Sequence, residues 1–390
     1  MNSNQQSVIV HIIIGLNYGY GGAELMLLRL IKQMNKQHGS FKHHVVSLTP
    51  LGKLSENFIN QGISVHALNL KSPLNLILVL IKLVLLLIQI KPCIVQTWMY
   101  HSDLIGGIAA RIAGISNIVW NIRNTSIPQV GWSRTRLVIR VCAWLSTSIP
   151  RSIICCAEAS RSSHILAGYD ESKMVVIPNG FDLELFKDVS EMRVEARNQL
   201  QFDDNLIVIG IVGRFDVLKD YNNFINAAEI IARQKAHVKF LMVGRDIDYS
   251  NGRLVSWLQN TGFYERFVLL GERNDVPKLM CAMDIYCLSS CAEGFPNVVA
   301  EAMAAHLPCV VTDVGDAALI VQDSGEVVPK RNAILLAAAL LLMTDLSRKE
   351  RQYLGNRSRM IIETSFAINI ISDRYMNLYL SILNPSVEFK

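Results

Sequence analysis

The sequence predicts an α/β protein made of two successive doubly wound, parallel-sheet domains. Three observations carry that prediction. Short apolar runs alternate with stretches of helical periodicity, the alternation restarts midway along the chain, and each half opens on an apolar run that ends in glycine. At 390 residues the chain is also too long for one ordinary core, and two cores imply a cleft where ligands tend to bind.

The first half opens on Val8 to Ile14, then a loop with Gly15, Gly19, Gly21 and Gly22, then a helical pattern from Ala23 to Asn35. Strand, tight loop and helix begin a βαβ unit. Further strands are expected near Val45 to Leu48, Ile94 to Thr97, Ile118 to Ile122 and Ile153 to Ala157, with helices such as Asp103 to Ala113 between them. Interleaving of this kind gives parallel strands, because parallel neighbours need a crossover.

The second cycle starts at Leu206 to Val212, ends in Gly213, and repeats through Lys239 to Val243, Val268 to Leu270, Ile285 to Leu288 and Cys309 to Thr312. The expected organisation is an N-terminal domain over 1–180, a linker over 181–205 and a second domain over 206–366. A final helix within 367–390, roughly Ala367 to Leu383, should pack back on the first domain. The turn Pro178-Asn179-Gly180 and the charged residues after it mark the linker.

Leu74 to Ile90 (LNLILVLIKLVLLLIQI) is greasy, yet its longest unbroken apolar run falls well short of the roughly 20 residues of a membrane span. Asn75, Lys82 and Gln89 recur every seven residues as one thin polar stripe. A helix packed on the sheet is the first expectation, and shallow burial in a bilayer surface the second.

Half of the residues are apolar and 18% are charged, which excludes a disordered chain and suggests contact with something greasy. The net charge of +5 is uneven: seven arginines face one acid between Ile105 and Ser162. Anionic lipid headgroups or substrate phosphates suit such a region, whereas no nucleic-acid motif accompanies it, so nucleic acid is not an expected partner. Eight cysteines without C-x-x-C pairing, and an opening MNSNQQSVIV that leads directly into a strand, point to a reduced cytoplasmic protein without a metal site.

Chemistry concentrates in Ser289 to Gly315. There a loop with Glu293 leads into a helix near Pro296 or Asn297, and Glu301 follows eight residues after Glu293. A helix N-terminus offers free N–H groups to a phosphate, here along Gly294 to Val298, while flanking carboxylates accept hydrogen bonds from sugar hydroxyls. Arg214 and Lys219, just past Gly213 in GIVGRFDVLKDY, can reach the same sheet edge. A diphosphate leaving group needs that positive charge. Any one of these residues alone reads as a surface acid or a salt-bridged cation; the set reads as a nucleotide-sugar site.

The segments EGFPNVVAEAMA, GRFDVLKD, PNGFD, an early GGAE and WMYHSDLIG resemble glycosyltransferase family 4 (GT4), retaining enzymes of the GT-B fold. The match runs over nearly the whole chain, and Ala292 before EGFPN lies within the variation of that family. By resemblance, Glu293 would hold hydroxyls of the transferred sugar, Glu301 the ribose, and Arg214 with Lys219 the diphosphate. Phe295, Pro296, Asn297 and Val298, following Gly294, would add backbone amides. Gly21 and Gly22 would approach the donor phosphates from the other domain. The loop Gly271 to Val276 would line the base, with Gly244 beside it.

His101 of WMYHSD is the expected contact to the reacting sugar or acceptor, and Arg123 of WNIRNT a weaker candidate for an acceptor phosphate. The resemblance implies a metal-independent hexosyltransferase using UDP-, GDP- or related sugars. With the greasy helix and the basic half, it suggests a polyprenyl-diphosphate-linked glycan acceptor at the cytoplasmic membrane face, as in capsule or O-antigen assembly. The rival readings are a GT-B nucleotide-sugar epimerase, a non-catalytic sugar-binding subunit and a dinucleotide oxidoreductase. The last is disfavoured because the early glycines do not form G-x-G-x-x-G and no acid ends the second strand.

Overall fold

A computed structural model describes residues 6–16, 22–125, 127, 134–384 and 386. The chain forms two compact units, 1–180 with 368–390, and 181–367.

The first unit runs β1 Ser7–Ile13, α1 Gly22–Gln37, β2 Phe41–Ser47, α2 Ser55–Asn60, β3 Ser64–Ala67, α3 Leu76–Ile90, β4 Ile94–Trp98, α4 Tyr100–Ile112, β5 Ile118–Ile122, α5 Arg134–Leu145, β6 Ser152–Cys155, α6 Glu158–Leu166 and β7 Met174–Val176. Its seven strands pair in parallel in the order β3-β2-β1-β4-β5-β6-β7. The order reverses between β1 and β4, so the loops leaving those two strands open the crevice where such sheets take ligands.

The second unit runs α7 Val189–Gln199, β8 Ile207–Val212, α8 Tyr221–Gln234, β9 Val238–Val243, α9 Gly252–Asn260, β10 Phe267–Leu269, α10 Val276–Cys281, β11 Ile285–Leu288, α11 Asn297–Ala304, β12 Cys309–Thr312, α12 Ala317–Val321, β13 Glu326–Val328, α13 Ala333–Asp345 and α14 Arg348–Ile361. Its six strands are ordered β10-β9-β8-β11-β12-β13, again parallel. Here the reversal lies between β8 and β11. Those are the strands that carry GRFDVLKD and SSCAEGFP at their C-terminal ends. This is the doubly wound α/β architecture expected from the alternation.

Local chemistry sets the element ends. Asp220 adopts a left-handed conformation at φ 48° and its carboxylate accepts from the Asn223 N–H, which starts α8. A reciprocal capping box between Ser347 and Glu350 starts α14. The core of β8 to β11 is apolar on both faces because parallel central strands are covered twice.

The stretch expected as a linker, 181–205, carries α7, whose Arg193 and Arg197 clasp Asp284 at 2.6 and 3.2 Å. Arg197 is 3% exposed, and Asp284 also accepts from the Val208 N–H, so the clasp is part of the packed second unit. The last helix, α15 Ile368–Leu383, lies in the first unit, where Ile371, Tyr375 and Tyr379 share a core with Leu27, Leu30 and Ile31 of α1.

The greasy segment is a helix on the opposite face of that sheet. Only Val79, Leu83 and Leu87 of α3 are buried. By length and composition alone, Pro73–Ile90 is long and apolar enough to cross a membrane, more than its broken apolar run suggested, because Asn75, Lys82 and Gln89 interrupt the run without ending the helix.

Candidate active site

The site in the second unit is built by two loops at the β8/β11 reversal. Beyond β8, Gly213 leads to Arg214, and the Asp216 carboxylate accepts from the Leu218 N–H at 2.9 Å, capping a short 3-10 turn, Val217–Lys219. Arg214 Nε donates to the other Asp216 oxygen at 3.0 Å. The Leu218 amide hydrogen bond and, less strongly, the Arg214 contact hold the Asp216 carboxyl below its ordinary pKa, against a smaller opposing effect of burial. Arg214 is 55% exposed at its side chain, so it faces solvent where a ligand can reach it.

Lys219 turns the other way. Its Nζ donates to Glu293 Oε1 at 2.7 Å, in a pair whose side chains are 21% and 14% exposed. Ser290 Oγ donates to the same oxygen at 2.6 Å. Both expected reactive groups, the cation of one loop and the acid of the other, are therefore in direct contact, with Glu293 oriented from two sides.

Further bonds fix the two loops to each other. Ser289 Oγ donates to the Lys219 carbonyl at 2.8 Å, the Cys291 N–H to the Leu218 carbonyl at 2.8 Å, and Tyr221 OH to the Gly213 carbonyl at 2.6 Å. Thr312 Oγ1, at the end of β12, donates to the Ser290 carbonyl at 2.6 Å. Ser290 and Thr312 went unnoticed in the sequence. Ser290 stands three residues before Glu293, which is the one signal that could have marked it; Thr312 is brought in only by the sheet.

Two glycines permit the close crossing of these segments. A Cβ on Gly315, at φ +55°, would stand 2.2 Å from the Gly294 carbonyl oxygen, and one on Gly244 1.9 Å from that of Gly213. Gly244 N–H donates to the Gly271 carbonyl at 2.8 Å, so the loop ends of β8, β9 and β10, the last leading to Val276 at the start of α10, lie side by side.

Helix α11 starts at Asn297, within the start expected near Pro296 or Asn297, but with Pro296 at the cap position and Asn297 as the first helical residue, so the Asn297 and Val298 amides belong to its first turn. Phe295 is placed differently from a purely backbone role: its ring stacks on Phe181 of PNGFD at 6.1 Å and meets Phe366 edge-on at 5.6 Å. That cluster anchors the loop carrying Glu293 and Gly294. Glu301 lies in the second turn of α11 and is half-buried.

In the first unit, Gly22 opens α1, while Gly21 lies outside the described residues. His101 sits in the first turn of α4, directly after Met99, whose φ of 74° and ψ of 154° are rare for a residue with a side chain. Burial lowers its pKa, so it is neutral at pH 7. Its helix is fastened by Asp103, fully buried and accepting from Thr97 Oγ1 at 2.5 Å; burial pushes that carboxyl up to about 8. Gly106 and Gly107 let α4 lie close against β4 and β5, where a Cβ would meet Thr97 and Trp120.

Arg123 has partners already. Its guanidinium donates to Asn121 Oδ1 and Tyr375 OH, each at 3.3 Å, and to Asn179, and lies 5.3 Å from the Trp98 ring centroid. It thereby joins β5 to α15. Among the described residues, no group of three or more His, Cys, Asp or Glu side chains gathers as a metal site would require. None of the eight cysteines is in a disulfide.

Two family models match the chain: Glycosyltransferase Family 4 over residues 20–185 and Glycosyl transferases group 1 over 207–345. The chain is 28% identical over 309 residues to the UDP-Gal:alpha-D-GlcNAc-diphosphoundecaprenol alpha-1,3-galactosyltransferase of Escherichia coli, covering 78% of this chain and 79% of that one. It is 26% identical over 320 residues to the capsular polysaccharide biosynthesis glycosyltransferase CapM of Staphylococcus aureus, covering 79% and 81%. The fold matches that of Anabaena Alr3699/HepE crystallised with UDP, at a TM-score of 0.82 and 23% identity over 96% of this chain and 99% of that one. Family models, relatives and fold agree with one another: the chain is a GT4-type glycosyltransferase of the GT-B fold.

Proposed function

We propose that this glycosyltransferase moves a hexose, with retention of anomeric configuration, from a nucleoside-diphosphate sugar to a lipid-linked glycan in surface-polysaccharide assembly. The observation that carries the donor half is the Lys219–Glu293 contact at the β8/β11 reversal, beside the N-terminus of α11. Positive charge and a helix N-terminus suit a diphosphate there, and a carboxylate suits sugar hydroxyls. Glu301, with the Gly244 and Gly271 loops, is assigned to the nucleoside.

In the proposed reaction the acceptor hydroxyl attacks the anomeric carbon on the face the diphosphate leaves. The bond from that carbon to the diphosphate oxygen breaks, and the departing diphosphate takes the hydroxyl proton. No protein nucleophile is needed. Lys219, Arg214 and the α11 amides take up the charge that develops on the leaving group, which is where a fixed positive field is worth most. His101, neutral and on the crevice end of α4, is assigned to the reacting sugar or acceptor, and Gly22 to the donor phosphates.

The acceptor half rests on the relatives. The Escherichia coli protein is named for a diphosphoundecaprenol-linked acceptor and the Staphylococcus aureus protein for capsular polysaccharide. By this reading the chain works at the cytoplasmic face of a membrane. The epimerase and non-catalytic readings gain nothing from relatives that are named as transferases.

The test is a thermal-shift screen across UDP-, GDP- and other nucleotide sugars, followed by transfer to a polyprenyl-diphosphate-linked acceptor and determination of the product anomer. A donor that raises Tm and yields a retained glycoside supports the reading. An inverted product, or interconversion of donors without acceptor, would overturn it.

A further inference from the structure

Helix α3 is apolar on two opposite sides. At 100° per residue, Val79, Leu83 and Leu87 occupy the side turned into the core, and Ile77, Ile81, Leu85 and Ile88 the reverse. Those four are 71%, 51%, 61% and 48% exposed. Lys82 and Gln89 lie on the flank between the two apolar sides. A soluble surface helix turns one apolar stripe inward and a polar face outward, which α3 does not do.

Its neighbours continue the surface. α3, α4 and α5 cover the same face of the seven-stranded sheet, since Val79 and Leu83 share a core with Ala109, Ala110, Ile139 and Cys142. α1 and α15 cover the other face. On α5 the outward stripe is Arg134, Leu137, Arg140 and Trp144, with Leu137 61% and Trp144 76% exposed. The charge is one-sided: from Lys71 to Ala157 there are nine lysines and arginines and a single acid, Asp103, which is buried.

We infer that this outer surface of α3, α4 and α5 docks on an anionic lipid bilayer, with α3 lying in the plane of the headgroup boundary. The inference rests, for its purpose, on the lipid-linked acceptor reading. Its observations stand apart from it. The outer stripe of α3 enters the upper acyl region, as interfacial helices do, and Trp144 sits at headgroup level with an apolar ring and a polar N–H. Lys82, Arg134 and Arg140 meet lipid phosphates, and each basic residue near such a surface strengthens binding about fivefold. Because Val79, Leu83 and Leu87 remain in the protein core, the helix lies on the membrane and does not cross it.

The experiment is flotation of the full chain with vesicles of phosphatidylcholine, alone or mixed with phosphatidylglycerol, at low and high salt. Three proteins are compared: wild type, the triple variant Ile77→Glu, Ile81→Glu, Leu85→Glu, and the double variant Arg134→Glu, Arg140→Glu. Wild type should float with the mixed vesicles at low salt, and the double variant should bind at least about 25-fold more weakly. The triple variant should not float. All substituted positions are solvent-facing, so melting curves and transfer to a water-soluble, short-chain acceptor should match wild type.

Absence of flotation by wild type, or equal flotation by the triple variant, would overturn the inference. So would a wild-type dimer, seen by sedimentation without lipid, that the triple variant separates into monomers, because a second copy would then cover the face. If wild type floats and the variants do not, yet no polyprenyl-diphosphate glycan is glycosylated, docking stands and the acceptor reading falls.

Discussion

Lys219 and Glu293 meet at 2.7 Å although 74 positions separate them in the chain, and their contact joins the loop after β8 to the loop after β11. The strand order makes them neighbours: β8 and β11 are adjacent because the sheet reverses there, and each loop leaves the same sheet edge. Glu293 balances Lys219 here, and under the proposed function a bound diphosphate would take that lysine over.

Glu293 should be sensitive to its orientation as well as its charge. Glu293→Gln keeps the shape and loses the charge, and should lower kcat by about 10²–10³. Ser290→Ala removes only the hydrogen bond at 2.6 Å and should cost about 1 kcal/mol, near a factor of five, in kcat/KM. Steady-state kinetics with saturating donor would check the order; a Ser290→Ala loss equal to that of Glu293→Gln would contradict it.

Gly315→Ala should disturb the Glu293 loop, because its new Cβ would meet the Gly294 oxygen at 2.2 Å in addition to the strain at φ +55°. Gly62→Ala, at φ +73° with nothing within 4 Å, is the matched control and should cost only about 1–2 kcal/mol. Donor binding by calorimetry should fall in the first variant and persist in the second.

Stability should peak near pH 6.5. Below it, His43, lowered by burial to about 4, and His11, held well below its ordinary value by burial and by His43, bind protons more readily when unfolded, so their contribution is present above about 6.5 and lost as pH falls. Above it, Asp103 dominates: its folded pKa of about 8 exceeds the unfolded value, so stability declines by about 1.4 kcal/mol per unit as pH rises toward 8. Urea unfolding of Asp103→Asn should lose the decline on the alkaline side, and a slope like that of wild type would count against the assignment.

Arg123 should prove a latch before anything else. Arg123→Lys cannot reproduce a fork spread over Asn121, Asn179 and Tyr375, and should lose about 1–3 kcal/mol of stability. An acceptor-phosphate role would add a raised KM for acceptor with the donor KM unchanged. His101→Ala, in contrast, should lower kcat while leaving Tm within a few degrees.

Much of this was legible in the sequence. The buried strands β1, β4, β5, β8, β9 and β11 announce themselves as apolar runs, and the PN of EGFPN marks the start of α11. β3 (SVHA) and β13 (EVV) did not, because short edge strands of mixed polarity carry no clear period, and β7 (MVV) did not, because three apolar residues are too few to show one. The first half of β2 was missed for a different reason. Its FKHH reads as polar, yet His43 is buried with its Nδ1 3.0 Å from His11 Nε2, a pairing that only the β1–β2 register creates.

The site divides in the same way. Glu293, Arg214 and Lys219 were legible as residue types at sheet ends and Glu301 as one on the helix that follows, but the Lys219–Glu293 contact was not, since it depends on strand order. Arg123 was read as a candidate for an acceptor phosphate and Phe295 as a source of a backbone amide, and the packing of their side chains, against Tyr375 of α15 and against Phe181 and Phe366, was not legible. The outer face of α3 was readable as greasy, but which stripe the core uses came only from the packing.

The central claim is that the β8 and β11 loops hold the donor diphosphate, and turnover of Lys219→Ala and Arg214→Ala with the identified nucleotide sugar tests it most directly. The account predicts that kcat falls by about 10²–10³ in Lys219→Ala and steeply in Arg214→Ala, with Tm retained within a few degrees in the exposed Arg214 variant. Near-wild-type turnover in both variants would contradict it.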